Sequence, residues 1–131
     1  MSFGKREYDR QKPEIEFPDH EAPTDLVIED LIVGDGPEAT PGSTVSAHYV
    51  GVAFSTGDEF DASWNRGAPL DFRLGVGQVI AGWDEGIAGM KVGGRRRLEI
   101  PADKAYGDRG AGGAIAPGES LIFVVDLVGV R

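Results

Sequence analysis

Apolar and polar residues begin to alternate at Leu26 and, with interruptions, continue to do so to the end of the chain. Leu26 to Val33 reads as a strand that stops at the turn cluster Gly34-Asp35-Gly36-Pro37. Thr44 to Phe54, rich in β-branched and aromatic residues, predicts a second strand. Ser55-Thr56-Gly57-Asp58 suits a hairpin loop, after which Glu59-Phe60-Asp61 returns briefly. Trp64 to Pro69 breaks the alternation and is expected to bulge. Leu70-Asp71-Phe72-Arg73-Leu74 alternates cleanly, with its three apolar residues on one face.

The period changes at Val79. From there to Gly93, Ile80, Trp83, Ile87 and Met90 recur at spacings of three, four and three, which stacks them on one helical stripe. Gly82 and Gly86 lie inside this stretch, and each costs a helix about 1 kcal/mol relative to alanine. Isolated helices below roughly 12 residues are marginal in any case. The helix must therefore be enclosed, and the flanking segments supply only strands to enclose it. After Gly93-Gly94, Arg95 to Ile100 predicts a strand with Leu98 and Ile100 on one face and Arg96 on the same face beyond the core's rim. Pro101 and a short helical turn around Ala102 to Ala105 lead into a loop holding Gly107, Gly110, Gly112, Gly113 and Gly118. Such a loop can pass close to a ligand. Leu121 to Val130 is apolar on both faces except at Asp126, the mark of a central strand covered on both sides. The expected fold is α+β, an antiparallel sheet curled over one short helix.

Residues 1–24 carry Pro13, Pro18 and Pro23 among many charges and have almost no periodicity. They are expected to form a flexible or loosely draped tail, with Ile15 and Phe17 as the residues able to dock on the domain that spans 25–131. The tail serves a partner or is extra length; the sequence leaves both open.

The chain of 131 residues suffices for one core. Its 22 acids and 13 bases leave a net charge of −9, which argues against nucleic acid as a partner and suits a soluble monomer. The one basic cluster, Arg95-Arg96-Arg97, reads as a solvated strand end. There is no cysteine, hence no disulfide framework or thiolate chemistry. No apolar run approaches the roughly 20 residues that span a bilayer. Met1 to Glu7 has no apolar segment behind its basic residues, so a signal peptide is not expected and the cytoplasm is the expected location.

Several chemistries fail on spacing. Gly75, Gly77 and Gly82 resemble a dinucleotide loop only faintly, because Ile80 stands where its third glycine belongs. Neither a phosphate-binding loop nor a nucleophile elbow is present. His20 lies in the tail and His48 is read as a solvent-side strand residue, on the face opposite Tyr49. Asp84 and Glu85 fall on the polar side of the helix, where solvation and capping explain them. Aromatic residues remain. Tyr49, Phe60, Phe72, Trp83, Tyr106 and Phe123 lie on different elements, yet all face the curled side if the sheet wraps the helix. Phe72 is ordinary core. An aromatic basin with polar tips otherwise suits an apolar ring.

These residues stand in ordered motifs: Val45-Ser-Ala-His48-Tyr49-Val-Gly51, Gly57-Asp-Glu-Phe60-Asp61-Ala-Ser63, Val79-Ile80-Ala-Gly82-Trp83-Asp84-Glu85-Gly86, Ala105-Tyr106-Gly107 and Leu121-Ile-Phe123. From about Leu26 to Arg131 the chain resembles the FKBP family of peptidyl-prolyl cis-trans isomerases, the immunophilins that bind the macrolides tacrolimus and rapamycin. The resemblance implies a sheet of five or six antiparallel strands around one helix. It implies that Trp83 floors a proline pocket, with Tyr49, Phe60, Val79, Ile80 and Phe123 as walls. The Ile80 N–H and the Tyr106 hydroxyl would donate to substrate or drug carbonyls, with Asp61 at the pocket edge. Asp61 would either polarise the surroundings of the twisted amide or hold Tyr49 and Arg66 in place. Leu70 and Ile115 complete the implied substrate contacts, and Leu70 stands where the best-known members carry phenylalanine. Ala111 and Ala114 occupy loop positions where larger residues are common, so the rim should be less bulky. The implied activity needs no cofactor and acts on proline-containing peptides and unfolded proteins. The alternative is a non-catalytic proline-peptide-binding module or chaperone using the same basin; the complete set of pocket residues favours catalysis.

Overall fold

The computed structural model describes residues 10–131; the Met1 to Glu7 segment and the first part of the tail lie outside them. Six strands form one antiparallel sheet: β1 (Val27–Ile32), β2 (Thr44–Ala53), β3 (Glu59–Ala62), β4 (Leu70–Arg73), β5 (Arg95–Ile100) and β6 (Leu121–Val130). Their order is β1-β5-β6-β2-β3, and β4 also pairs with β2. β2 pairs with β4 through Thr44 to Ala47 and with β3 through Val50 to Val52, so one edge is built from two short strands in succession. β6 lies centrally, with Leu121 to Val128 all buried, as its apolar run on both faces requires.

The helix α1 (Ala81–Gly86) is only six residues long. Its two glycines are what let it lie on β5. A Cβ on Gly82 would stand 2.5 Å from Ile100 Cγ2, and one on Gly86 would stand 2.9 Å from Leu98 Cδ1. The helix thus gives up propensity for close contact with the sheet. Trp83, Ile87 and Met90 are buried in the main core with Phe123, Val125 and Leu127 of β6.

Arg96 reaches that helix and does not end in solvent. Its Nη1 donates to the carbonyls of Gly86 at 2.8 Å and Ala88 at 3.0 Å, where a helix C-terminus presents unsatisfied acceptors. Its Nε pairs with Asp30 at 2.7 Å. Arg95 pairs with Asp126 and Arg97 with Glu99. The basic cluster is thus fully engaged inside the protein, contrary to its reading as a solvated strand end. Asp84 likewise does more than face water: it accepts from the N–H groups of Gly75 at 2.8 Å and Gly77 at 3.0 Å and so closes the β4–α1 loop.

Residues 10–24 have no regular structure, and from Arg10 to His20 they lie against the back of the sheet. Arg10 donates to Asp126 at 3.1 Å and to the Gly93 carbonyl at 2.8 Å. Asp126, 1% exposed, thus receives one arginine from β5 and one from this segment. Lys12 pairs with Glu59 at 2.7 Å. Ile15 packs on Val50 and Val124 and on Val52 and Ile122, while Phe17 stays mostly exposed. His20 holds Glu99 at 2.8 Å.

This cover, with Trp64, changes the environment of the back face. His48 is 7% exposed, stacked on Trp64 at 4.3 Å, with Nδ1 within 2.9 Å of Ser63 Oγ. It is not a solvent-side residue, and burial lowers its pKa, opposed only in part by Asp126. The stretch expected to bulge begins with a 3-10 turn, Ser63–Arg66, closed by Gly67; the irregular β2–β3 register lies earlier, between Gly51 and Val52. At the opposite edge, β1 leaves Val27, Ile28, Leu31 and Ile32 exposed. Among the described residues no helix is long and apolar enough to cross a membrane.

Candidate functional site

The concave side of the sheet opens into a hollow of about 160 Å³ above the indole of Trp83. Each wall comes from a different element. β2 supplies Tyr49, β3 supplies Phe60 and Asp61, β4 supplies Leu70, and β6 supplies Phe123. The segment entering α1 adds Gln78, Val79 and Ile80, and Tyr106 follows the 3-10 turn Ala102–Lys104. The rings meet mostly edge to face: Tyr49 on Trp83 at 4.9 Å, Phe123 on Trp83 at 5.2 Å, and Phe60 on Phe123 at 5.5 Å. Such contacts add stability beyond the area they bury and keep the walls in place. Gly51 makes room for them, since a Cβ there would stand 2.6 Å from Phe123 Cε1 and 2.7 Å from Phe60 Cζ.

Trp83 is 4% exposed and its Nε1 has no partner among the described residues. Two further donors are free at the hollow. The Ile80 carbonyl accepts from the N–H groups of Trp83 and Asp84 as the helix begins, while its own N–H donates to no group among the described residues. Tyr106 is 41% exposed, and its hydroxyl likewise has no protein partner among the described residues. One oxygen-seeking donor thus comes from the backbone and one from a phenol.

The third polar group is anchored. Tyr49 donates its hydroxyl to Asp61 at 2.5 Å and accepts from Arg66 at 2.8 Å, and Arg66 also pairs with Asp61 at 2.8 Å. Burial alone would raise the Asp61 carboxyl, but hydrogen bonds from Tyr49 and Arg66 outweigh it and hold the group below the usual carboxylate range. Burial, followed by the hydrogen bond to Asp61, pushes the Tyr49 phenol up. A carboxylate kept ionised beside a phenol kept protonated braces the pocket wall. It is a poor proton shuttle near neutral pH.

Of the residues singled out from sequence, Tyr49, Phe60, Asp61, Leu70, Val79, Ile80, Trp83, Tyr106 and Phe123 all line this hollow. Ile115 does not; it is buried in the main core and lines a neighbouring groove. Phe72 packs on Trp83 from below, at 5.5 Å. Trp64 does not border the hollow; it stacks on His48 on the other side of the sheet. Gln78 was missed. Its Oε1 accepts the Arg73 N–H at 2.9 Å while the side chain borders the hollow. Standing in a loop between Gly77 and Val79, it belongs to no periodic pattern that would have marked it.

The model of the family described as FKBP-type peptidyl-prolyl cis-trans isomerase matches residues 36–128. An FK506-binding protein of Streptomyces anulatus is 71% identical over 121 residues, covering 92% of this chain and 98% of that one. Peptidyl-prolyl cis-trans isomerase FPR2 of Saccharomyces cerevisiae is 48% identical over 106 residues, covering 81% of this chain and 76% of that one. Among solved structures, the crystal structure of AtFKBP13 is similar with a TM-score of 0.76 at 45% identity, covering 84% of this chain and 96% of that chain.

Proposed function

This chain belongs to the FKBP-type peptidyl-prolyl cis-trans isomerases, and from that premise we propose that it turns X–Pro bonds without covalent chemistry, in the hollow above Trp83. The uncatalysed bond rotates against a barrier of about 18–20 kcal/mol, because resonance gives C–N double-bond character. The half-rotated amide has lost that resonance and is less polar than either planar form. An aromatic hollow disfavours the planar, charge-separated amide relative to the twisted one, which is differential stabilisation of the transition state. A thousandfold acceleration asks for only about 4 kcal/mol of such preference.

In this reading Trp83 seats the proline ring, and Tyr49, Phe60, Val79 and Phe123 exclude water around it. The Ile80 N–H and the Tyr106 hydroxyl hold peptide carbonyls on either side. Asp61 keeps the Tyr49 hydroxyl turned to the rim. The observation that carries the proposal is the pair of unused donors, Ile80 N–H and Tyr106 O–H, at the mouth of a ring-lined hollow. The FK506-binding names of the relatives support a further reading, that FK506 (tacrolimus) occupies the same hollow with part of its macrocycle and blocks turnover, which the family resemblance extends to rapamycin.

The test is isomerisation of a proline tetrapeptide by the parent chain and by Trp83→Leu, Tyr106→Phe and Asp61→Ala, with circular dichroism to confirm folding. Trp83→Leu and Asp61→Ala are expected to lower kcat/KM by about tenfold or more, equivalent to about 1.4 kcal/mol of barrier. Tyr106→Phe, which removes one hydrogen bond, should lower it less. Full activity in folded Trp83→Leu and Asp61→Ala defeats the assignment. Binding of a proline peptide without turnover by the parent chain would mark a non-catalytic binder.

A further inference from the structure

A second concavity opens on the far side of Phe60. It encloses about 470 Å³ between the β2–β3 hairpin and the loop that follows Tyr106. Phe60 lines both this groove and the hollow above Trp83, so the two are neighbours across one ring. The groove has an apolar floor, with Ile115 buried at its base and Ala114 and Ala116 beside it. Gly112 and Gly113 leave it open, since a Cβ on either would meet nothing within 4 Å. Its rim is acidic: Asp58, Glu59 and Glu119 line it, and among the described residues no Lys, Arg or His does.

The three carboxylates are held differently. Glu119 accepts from the Ser55 N–H at 3.1 Å and the Ser55 hydroxyl at 2.6 Å, two neutral donors that orient it and leave no cation on it. Glu59 is paired with Lys12 at 2.7 Å, on the side that faces residues 12–15. Asp58 has no ion pair among the described residues. Two acidic groups thus stand over an apolar trough with no basic partner among the described residues.

We propose that this groove is a second substrate subsite, taking the side chain of a lysine or arginine within one or two residues of the isomerising proline. The proposal rests on the hollow above Trp83 being the seat of the proline ring. A polypeptide bound there continues past the mouth, and each residue advances it by up to about 3.3–3.6 Å. A neighbouring residue therefore passes the Phe60 wall. A long basic side chain lays its methylenes along Ile115 and the alanines and carries its charge to Asp58 and Glu119, the division such side chains favour. An acidic side chain at the same place meets only like charges, which adds discrimination.

The experiment measures kcat/KM for peptides sharing one X–Pro core, with Lys, Ala or Glu at each position from two before to two after the proline. The parent chain is compared with the Asp58→Asn/Glu119→Gln double variant. At one position Lys is expected to exceed Glu about fivefold at low ionic strength, the range of one exposed ion pair. The ratio should fall to within twofold in the double variant, and also in about 1 M salt, where the screening length is about 3 Å. The Ala peptides should be turned over equally by both proteins. Absence of a Lys preference at every position overturns the proposal, as does a preference that persists undiminished in the folded double variant. Asp58→Asn alone decides the matter if loss of Glu119 loosens the loop. Failure of the parent chain to turn over any peptide would instead defeat the assignment of the proline hollow.

Discussion

Tyr49 holds its hydroxyl between Asp61 and Arg66, and that clasp sets the geometry of the pocket wall. Arg66 is half exposed, so the ion pair itself contributes little to stability, about 0.2–1 kcal/mol. Arg66→Ala is therefore expected to leave the urea midpoint nearly unchanged while lowering kcat/KM, a split that activity and unfolding curves on one sample will show. The two histidines make a second residue-scale prediction, of opposite sign. Hydrogen bonding to Glu99, then to Asp19, raises the His20 pKa above the ordinary value of 6.5. Its contribution to stability is complete below 6.5 and fades as pH rises through the raised value. Burial lowers the pKa of His48, so its contribution is intact above 6.5 and is lost as pH falls through the lowered value. Ring-proton NMR titrations should place the two midpoints on opposite sides of 6.5. A His48 midpoint above that value would show that its burial is not retained in solution.

At the scale of elements, α1 stands because its surroundings support it. Two glycines bring it onto Ile100 and Leu98, Arg96 satisfies carbonyls at its end, and Asp84 ties it to the preceding loop. Gly82→Ala should raise intrinsic helix propensity by about 1 kcal/mol. It should nevertheless destabilise the protein, because the new methyl overlaps Ile100 and overpacking costs about 1–3 kcal/mol. A fall in the urea midpoint at constant slope checks this. The strand pattern was legible because period-two alternation reports directly on a half-buried sheet, and β5 and β6 have the ends expected of them. The helix was legible as a stripe, from Trp83 to Ile87 and Met90, but its regular part ends at Gly86 and Met90 is reached through a turn. The surroundings of Arg95, Arg96 and Arg97 were not legible. Arg97 pairs with Glu99 on its own strand, but the partners of Arg95 and Arg96, Asp126 and Asp30, come from distant segments that only the folded chain brings near.

At the scale of the whole molecule, the segment from Arg10 to His20 makes the sheet's back face an interior. Alternation placed His48 correctly, opposite Tyr49, but took that side for water, because nothing in a proline-rich acidic stretch announces that it will lie across a sheet. The pocket, by contrast, was largely readable, since its walls lie on regular strands and on the helix stripe; Gln78 and the displacement of Ile115 are loop matters. Deleting residues 1–24 removes Arg10 from buried Asp126 and uncovers the surface beneath Ile15. Loss of one partner from a buried ionic cluster costs about 3–5 kcal/mol when nothing compensates. Since Arg95 remains, a loss toward the lower end is expected, read as a lower melting temperature. The folded fraction should keep its turnover number, because the described contacts of this segment, from Arg10 to His20, lie on the opposite side of the sheet from Trp83.

The dimensions of the hollow bear on which prolines ever reach it. About 160 Å³ sunk within a curled sheet has room for one small ring, and in the proposed mode of binding the backbone on both sides would have to bend away. If the ring seats there as proposed, a proline locked into a finished globule offers no such slack. Only nascent stretches, frayed ends and supple linkers can surrender one, so the choice of target falls to the client's own looseness, and each client escapes the catalyst as soon as it tightens into its final shape.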